Sequence, residues 1–331
     1  MYWIGSKSGI AEKIVGIIEK EAGISPRSRG KFLDACAGMG HVSEYAKRLG
    51  YLVTAVDPMY CCAEVCRSKL GKNVISCVTP WYDADSIVDF YRQNRMKNYR
   101  PVQDLYGGRY FTHENAMRID AFRDEIERCY TGEARSRYIH TLLEESCRVS
   151  NTAGVFAAFL KKFKATSIYP INMLSIVLVS GGHQGDVRHG TILGEASYLS
   201  NFRYQVVYFD PPYNHRQYGA NYHVLETIAR GDHPEVKGIS RMRSWEPSDF
   251  CSKQRALPYF EKCMDFSSSV TDCVAVSYND EGILSMRQIR DSVRKHFPEV
   301  KIFRFEHKRY AASTNQKATV YEHVVVGKKS R

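Results

Sequence analysis

The sequence predicts an α/β protein: a doubly wound mixed sheet carrying an inserted helical lobe. Three observations carry that expectation. Lys31–Ala35 reads as a short buried strand entering Gly38-Met39-Gly40, followed by helical His41–Leu49 and a second strand, Tyr51–Val56, that stops at Asp57-Pro58. From about Thr79 to Lys164 the alternation of strand and helix ceases and three helical patterns follow one another. Strand signals then return, and the last two, Lys301–Phe305 and Val320–Val326, are close enough to pair as an antiparallel hairpin. The expected organisation is a main domain from residues 1–78 and 171–331, interrupted by a helical lobe at 79–170.

In chain order, Ser8–Ala22 places Ile10, Ile14, Ile17 and Ile18 on one helical stripe that ends at Gly23. A polar loop precedes the first strand, and a helix from about Met59 to Leu70 follows the second. In the lobe, Ala116, Ile119, Phe122, Ile126 and Cys129 line one helical face, with further helices near Ala134–Cys147 and Thr152–Phe163. Strands are expected at Ser175–Val179, Thr191–Gly194, Gln205–Phe209 and Cys273–Tyr278. No internal repeat or low-complexity tract interrupts this order.

The chain has 331 residues, 44% hydrophobic and 25% charged, enough to bury one sizeable core. No window approaches the roughly 18 to 20 apolar residues that span a bilayer, and the first residues lack a basic stretch leading into an apolar one. A cytoplasmic protein without membrane attachment is therefore expected. The ten cysteines are spread through apolar or helical contexts, which suits reduced thiols. Cys61, Cys62 and Cys66 contain no C-x-x-C pair, and no second half of a zinc site is present. His183, Asp186 and His189 sit in a Gly-rich setting that reads as a mobile loop, so no metal is expected. A net charge of +11 favours a polyanionic partner, although excess Lys and Arg also serve solubility. Basic residues recur beside aromatic or polar ones in Arg92–Arg100, Lys161–Lys164, Lys237–Arg243, Lys253–Arg255 and His307–Tyr310, a pattern that favours nucleic acid.

The most informative stretch is Val206–Tyr213, a β-branched and aromatic strand delivering Asp210-Pro211-Pro212-Tyr213 at its carboxyl end. That edge of an open α/β sheet is where ligands bind. A rigid surface turn is the plain alternative. By average residue usage, however, the tetrapeptide arises by chance in a chain of this size roughly once in several hundred cases.

Asp210-Pro211-Pro212-Tyr213 resembles the catalytic motif of amino-methyltransferases, and Asp34-Ala35-Cys36-Ala37-Gly38-Met39-Gly40 resembles their cofactor loop. Trp3-Ile4-Gly5-Ser6-Lys7 is similar to the amino-terminal cofactor motif of alpha-type DNA adenine-N6 methyltransferases, in which cofactor motifs precede the catalytic one. Asp210–Ala229, Gly108–Ile126, Asn151–Lys164 and Ser277–Gly282 resemble one bacterial branch of that family, so the likeness touches both ends and the middle of the chain. Cys36 departs from the Phe often found in the cofactor loop, which bears on packing around the methionine part of the cofactor.

The resemblance implies a Rossmann-like class I methyltransferase that uses S-adenosyl-L-methionine. It further implies a site-specific enzyme acting on adenine N6 in double-stranded DNA after base flipping, with a possible cognate restriction endonuclease as partner. The adenine amine is a weak nucleophile because its lone pair is delocalised into the ring. Asp210 can accept a hydrogen bond from N6–H, the Pro211 carbonyl can accept the second hydrogen, Pro211 and Pro212 stiffen the turn, and Tyr213 would stack on the extruded base. On the cofactor side the resemblance places Asp34, Ala37, Gly38 and Gly40 against the methionine part and Asp57 on the ribose. Trp3 and Lys7 enclose the site, and Glu195 faces the cofactor adenine.

For Lys7 and Trp3 the plain readings are a solvated terminal lysine and a core tryptophan, and for Glu195 an exposed acid at a helix start. Taken alone, the glycine turn and Asp57 equally suit a nicotinamide enzyme, although Ser43 stands where the dinucleotide fingerprint wants its third glycine. Arg216, Gln217, Tyr218, Asn221 and Tyr222 follow the catalytic turn and could contact the flipped nucleotide, with Asn221 equally able to cap a helix. Lys253 and Arg255 suit backbone phosphates or a plain solvated face, and Lys308 and Arg309 have the same standing.

Cytosine-C5 chemistry is set aside because no Pro-Cys dipeptide is present. Gly5-Ser6-Lys7-Ser8 lacks the strand and glycine spacing of a phosphate loop, and His113-Glu114 lacks the cysteine pair of a zinc deaminase. Adenine in structured RNA and a catalytically silent nucleic-acid-binding relative remain alternatives. Flanking-base specificity and oligomeric state are not expressed in these residues; the lobe and Gly231–Pro258 are the segments expected to share sequence reading.

Overall fold

The computed structural model describes residues 5–25, 27–72, 84–173, 183–308 and 319–330. In chain order the elements are α1 (Ala11–Ala22), β1 (Lys31–Asp34), α2 (His41–Leu49), β2 (Leu52–Asp57) and α3 (Tyr60–Leu70). The helices α4 (Ala84–Asn94), α5 (Pro101–Tyr106), α6 (His113–Cys129), α7 (Gly132–Val149) and α8 (Ala165–Ile168) follow without an intervening strand. Then come β3 (Asp186–His189), α9 (Ala196–Leu199), β4 (Val206–Phe209), α10 (Tyr218–Arg230), β5 (Val236–Lys237) and β6 (Met242–Arg243). The chain closes with α11 (Ala256–Val270), β7 (Cys273–Asn279), α12 (Met286–His296), β8 (Glu299–Lys308) and β9 (Thr319–Lys328).

Seven strands form one sheet in the order β3-β2-β1-β4-β7-β9-β8, with β9 antiparallel to both of its neighbours and the other pairings parallel. Strand order reverses between β1 and β4, the switch point where ligands bind in such sheets. β1 and β4 read FLD and VVYF because both faces are covered. Phe32, Leu33, Val206, Val207, Tyr208 and Phe209 are at most 1% exposed.

The apolar stripe of α1 places Ile14, Val15 and Ile18 against the sheet, and Gly23, at φ 66°, ends the helix. The lobe helices share a continuous core with the body, in which Tyr106, Phe122, Ile139 and Leu142 join Cys61 and Val65 of α3 and Leu225 and Ile228 of α10. Arg123 of α6 locks this junction. Its buried guanidinium donates to the carbonyls of Ile228, Ala229 and Arg230 at 3.0, 3.1 and 3.3 Å, satisfying the end of α10. Gly231, at φ 65°, has no Cβ because one would lie 2.8 Å from Arg123 Cζ.

Three expectations differ from the structure. Thr191–Gly194 is a turn, and the edge strand is Asp186–His189. Ile192 is buried from that turn, so its apolar signal reported burial and not strand. The same strand replaces the loop expected around Asp186 and His189. Thr152–Phe163 is irregular, because the Asn151 side chain donates to the carbonyls of Arg109 and Leu160 and the Phe156 N–H goes to Asn221, bonds that displace a helical ladder. The strand expected at Ser175–Val179 lies outside the described residues, as do Trp3 and Arg309.

Among the described residues no helix is long and apolar enough to cross a membrane, no cluster could hold a metal, and nine cysteines are free. Arg123→Ala strands three carbonyls and should lower unfolding free energy by about 2–4 kcal/mol, read as a fall in the chemical denaturation midpoint. Arg123→Lys, which cannot span three acceptors, should recover less than half of that loss.

Candidate active site

The parallel register ends β1 and β4 side by side, Asp34 opposite Tyr208, so both chains leave the sheet at the same level. After β1 the backbone turns through Gly38 (φ 51°) and Gly40 (φ 67°). A Cβ at Gly40 would meet Cys66 Sγ at 3.0 Å, so this tight passage into α2 needs glycine both for its conformation and for space. After β4 comes Asp210. The two turns share one cavity of about 630 Å³ whose wall includes Lys7, Asp34, Ala37, Gly38, Asp57, Asp210, Pro212 and Tyr218. Its size and mixed lining are those of a small-molecule site.

Lys7 stands at the centre. Its carbonyl accepts the Ile10 and Ala11 N–H groups at the start of α1, and its ammonium lies 3.0 Å from Asp210 Oδ1 and 3.1 Å from Glu322 Oε1. All three side chains are nearly sealed, at 7%, 15% and 4% exposure. Burial disfavours charge on Lys7, but the two carboxylates overcome it and raise the ammonium above its ordinary range. Burial pushes the Asp210 carboxyl up to about 7, with Lys7 pulling it down and Glu322 pushing it further up. Burial likewise raises Glu322 against the pull of Lys7.

The remaining predicted residues divide. Asp34 receives Ser43 Oγ–H on Oδ2 at 2.6 Å, while Oδ1 is buried without a hydrogen-bond partner among the described residues. Its carboxyl is raised to about 7, chiefly by burial. Asp57 accepts the Gly38 N–H at 2.8 Å and the Met59 N–H at 2.9 Å, which braces the glycine turn. Burial raises it to about 6 despite those donors.

Pro211 is buried behind the cavity wall. Tyr213 is also off the wall: it packs edge-on against Tyr278 at 6.1 Å, beneath the Lys7 ammonium, and its carbonyl accepts the Ile283 N–H. Tyr218, stacked on Tyr222 at 6.1 Å, does line the wall, as do Phe250 and Tyr259.

Glu195 does not join the site. It pairs with Arg188 at 2.8 Å, because an edge strand leaves Arg188 within reach, and Thr191 and Ile192 reach the cavity in its place. Asn221 is a buried residue inside α10, not its cap. Arg216, Lys253 and Arg255 are exposed outside the cavity, Arg255 in an ion pair with Asp249.

Sequence reasoning missed Glu322 and Trp245. Nothing in the β9 pattern marks Glu322 except an acid among apolar residues of a strand. Trp245 lines the cavity and rests on Gly219, where a Cβ would lie 2.6 Å from its side chain.

A family model for D12 class N6 adenine-specific DNA methyltransferases matches residues 3–291. The chain belongs to this family. Its activity is methyl transfer to N6 of adenine in DNA. Type II methyltransferase M.NlaIII of Neisseria lactamica is 31% identical over 334 residues, 96% of this chain and 94% of the relative. Modification methylase StsI of Streptococcus sanguinis is 27% identical over 314 residues (89% and 46%), and modification methylase LlaI of Lactococcus lactis subsp. lactis 30% over 320 (89% and 49%). The chain thus spans about half the length of the latter two.

In this adenine methyltransferase, Lys7→Met removes the cation that pairs with Asp210, so that burial and Glu322 act on it without that counter-charge. If transfer needs ionised Asp210, the acid limb of the single-turnover rate, set near pH 7 by the carboxyl at about 7, should move to higher pH, with a lower rate at neutrality.

Proposed function

We propose that the chain is a site-specific enzyme that methylates adenine N6 in double-stranded DNA, using S-adenosyl-L-methionine and a base rotated out of the helix. The observation that carries this reading is the shared cavity between Asp210 and the glycine turn. A carboxylate that can accept from an amine stands beside a cradle shaped for a small ligand.

The residues present fit the cofactor. Asp34 offers a buried acceptor without a partner, suited to the ammonium of a methionine moiety, and the Ala37–Gly40 backbone admits close approach. Asp57 and Lys7 complete the enclosure in this reading, with Thr191 and Ile192 where the resemblance implied Glu195; the resemblance adds Trp3, which lies outside the described residues. When bound, the cofactor supplies an electrophilic methyl carbon open to direct displacement.

Asp210 does the work on the substrate side. Lys7 occupies Oδ1, leaving Oδ2 to accept N6–H and concentrate electron density on the amine. The Pro211 carbonyl accepts the second hydrogen, which holds the amine's orientation. Tyr218 supplies an aromatic wall for stacking, whereas Tyr213, the ring the resemblance implies for that role, backs the Lys7 ammonium from behind the wall.

Phosphates would be held by Arg216, Lys253 and Arg255, whose exposure leaves them accessible. Sequence reading falls to the lobe and to the β5–β6 hairpin. That hairpin exposes Ile239 at 82% and is tied down by Tyr110 Oη–H donating to the Ser240 carbonyl at 3.2 Å. The names of the relatives support a place in a restriction-modification system, with a cognate endonuclease as functional partner, acting in the cytoplasm.

Labelled methyl transfer to adenine in duplex DNA should fall at least about 10²-fold in Asp210→Ala. Retained transfer in that variant would remove Asp210 from the mechanism. Equal or better transfer to structured RNA in competition would reassign the substrate.

A further inference from the structure

β4 ends at Phe209, paired with Val276 of β7, while β7 continues through Ser277, Tyr278 and Asn279. β9 runs alongside this extension, with Glu322 opposite Asn279 and therefore at the level of the turn that begins with Asp210. From there Glu322 Oε1 reaches across to Lys7 Nζ at 3.1 Å, matching the 3.0 Å approach of Asp210 Oδ1, and among the described residues neither oxygen has a partner besides that ammonium. Among the described residues, the ion pair of this carboxylate, sealed to 4% exposure, is with the Lys7 ammonium, which is also the group on Asp210. Burying an acid in this way is unfavourable unless its partner is fixed as well.

We propose that Glu322 is a positioning residue for methyl transfer: it tethers Lys7 so that the ammonium engages only Oδ1 of Asp210 and the second carboxylate oxygen stays open to the adenine amine. A lysine ammonium has three rotatable donors on a flexible stem. Without a second anchor it can swing across both oxygens of Asp210 and compete with N6–H for the acceptor. Glu322 occupies one donor from the far side and fixes that geometry. The inference rests on the reading of Asp210 as the amine acceptor.

The groups facing this cluster come from every neighbouring element. Asp34 of β1, Tyr208 of β4, Tyr213 after it and Tyr218 of α10 all lie in the field of Asp210, and Glu281 beyond β7 acts on Tyr213. Glu322 and Lys7 are the two whose charges bear directly on Asp210, with opposite sign. Removing one or the other should therefore move the acid limb in opposite directions.

The test compares Glu322→Gln, Lys7→Met and the double variant in the full chain, with duplex DNA and S-adenosyl-L-methionine. In Glu322→Gln, kcat should fall about 10- to 100-fold, as expected for displacement of a catalytic group by an ångström, with KM for both substrates within about twofold. Its acid limb should shift to lower pH, since a repelling carboxylate is gone, whereas Lys7→Met shifts it upward. The double variant should be no slower than Lys7→Met, because Glu322 acts through Lys7.

Unchanged kcat in Glu322→Gln, additive losses in the double variant, or reduced thermal stability without movement of the acid limb would each overturn the proposal. If Glu322→Gln does not fold, Glu322→Asp, which keeps the charge and shortens the reach, is read the same way: kcat reduced with the acid limb in place supports a positional role, and wild-type kcat refutes it. Full activity in Asp210→Ala would instead overturn the reading of the site itself.

Discussion

A buried ammonium shared between two carboxylates is the interaction on which this site depends. Asp210 sits in surroundings too dry to hold a lone charge, and a dry acceptor is also the strongest kind to offer a weakly nucleophilic amine. Lys7 reconciles the two demands. It does so from just ahead of α1, whose first turn its own carbonyl helps to close, so the helix that covers the outer strands also delivers the counter-charge.

The parallel strands made much of this visible in the sequence. β1, β2, β4 and β7 are largely apolar runs that end at or just before an acid, and their composition and punctuation report the same fact, burial on both faces over most of their length. The glycine turn was equally plain, since a positive φ at two nearby positions admits few other residues. Where the structure departed, the signal was burial mistaken for strand, as at Ile192, or apolar spacing without backbone freedom, as at Thr152–Phe163. There one asparagine side chain captures the Leu160 carbonyl and ties the stretch to that of Arg109.

The site was legible one element at a time. Asp210, Asp34, Asp57 and Gly38 announce themselves because each ends a strand or shapes a turn. Glu322 does not, because its partner lies more than three hundred residues away and the strand between them reads as ordinary sheet. Tyr213 shows the reverse. The motif places a ring beside the chemistry, while packing against Tyr278 sets it behind Lys7 and leaves Tyr218 on the cavity wall. Glu195 was drawn off by Arg188, a competitor that chain order does not reveal.

The grip of Arg123 on the last carbonyls of α10 bears on how such enzymes can be rebuilt. Tyr218 opens that same element, which bends at Tyr222 (φ −129°, ψ 20°), so the bent rod carrying a wall of the reaction chamber is fastened at its far end by the segment inserted between α3 and β3. Modular exchange of the insert is thereby constrained: a transplanted segment has to bring a guanidinium to the same three oxygens, or the recipient inherits a frayed rod along with its new specificity.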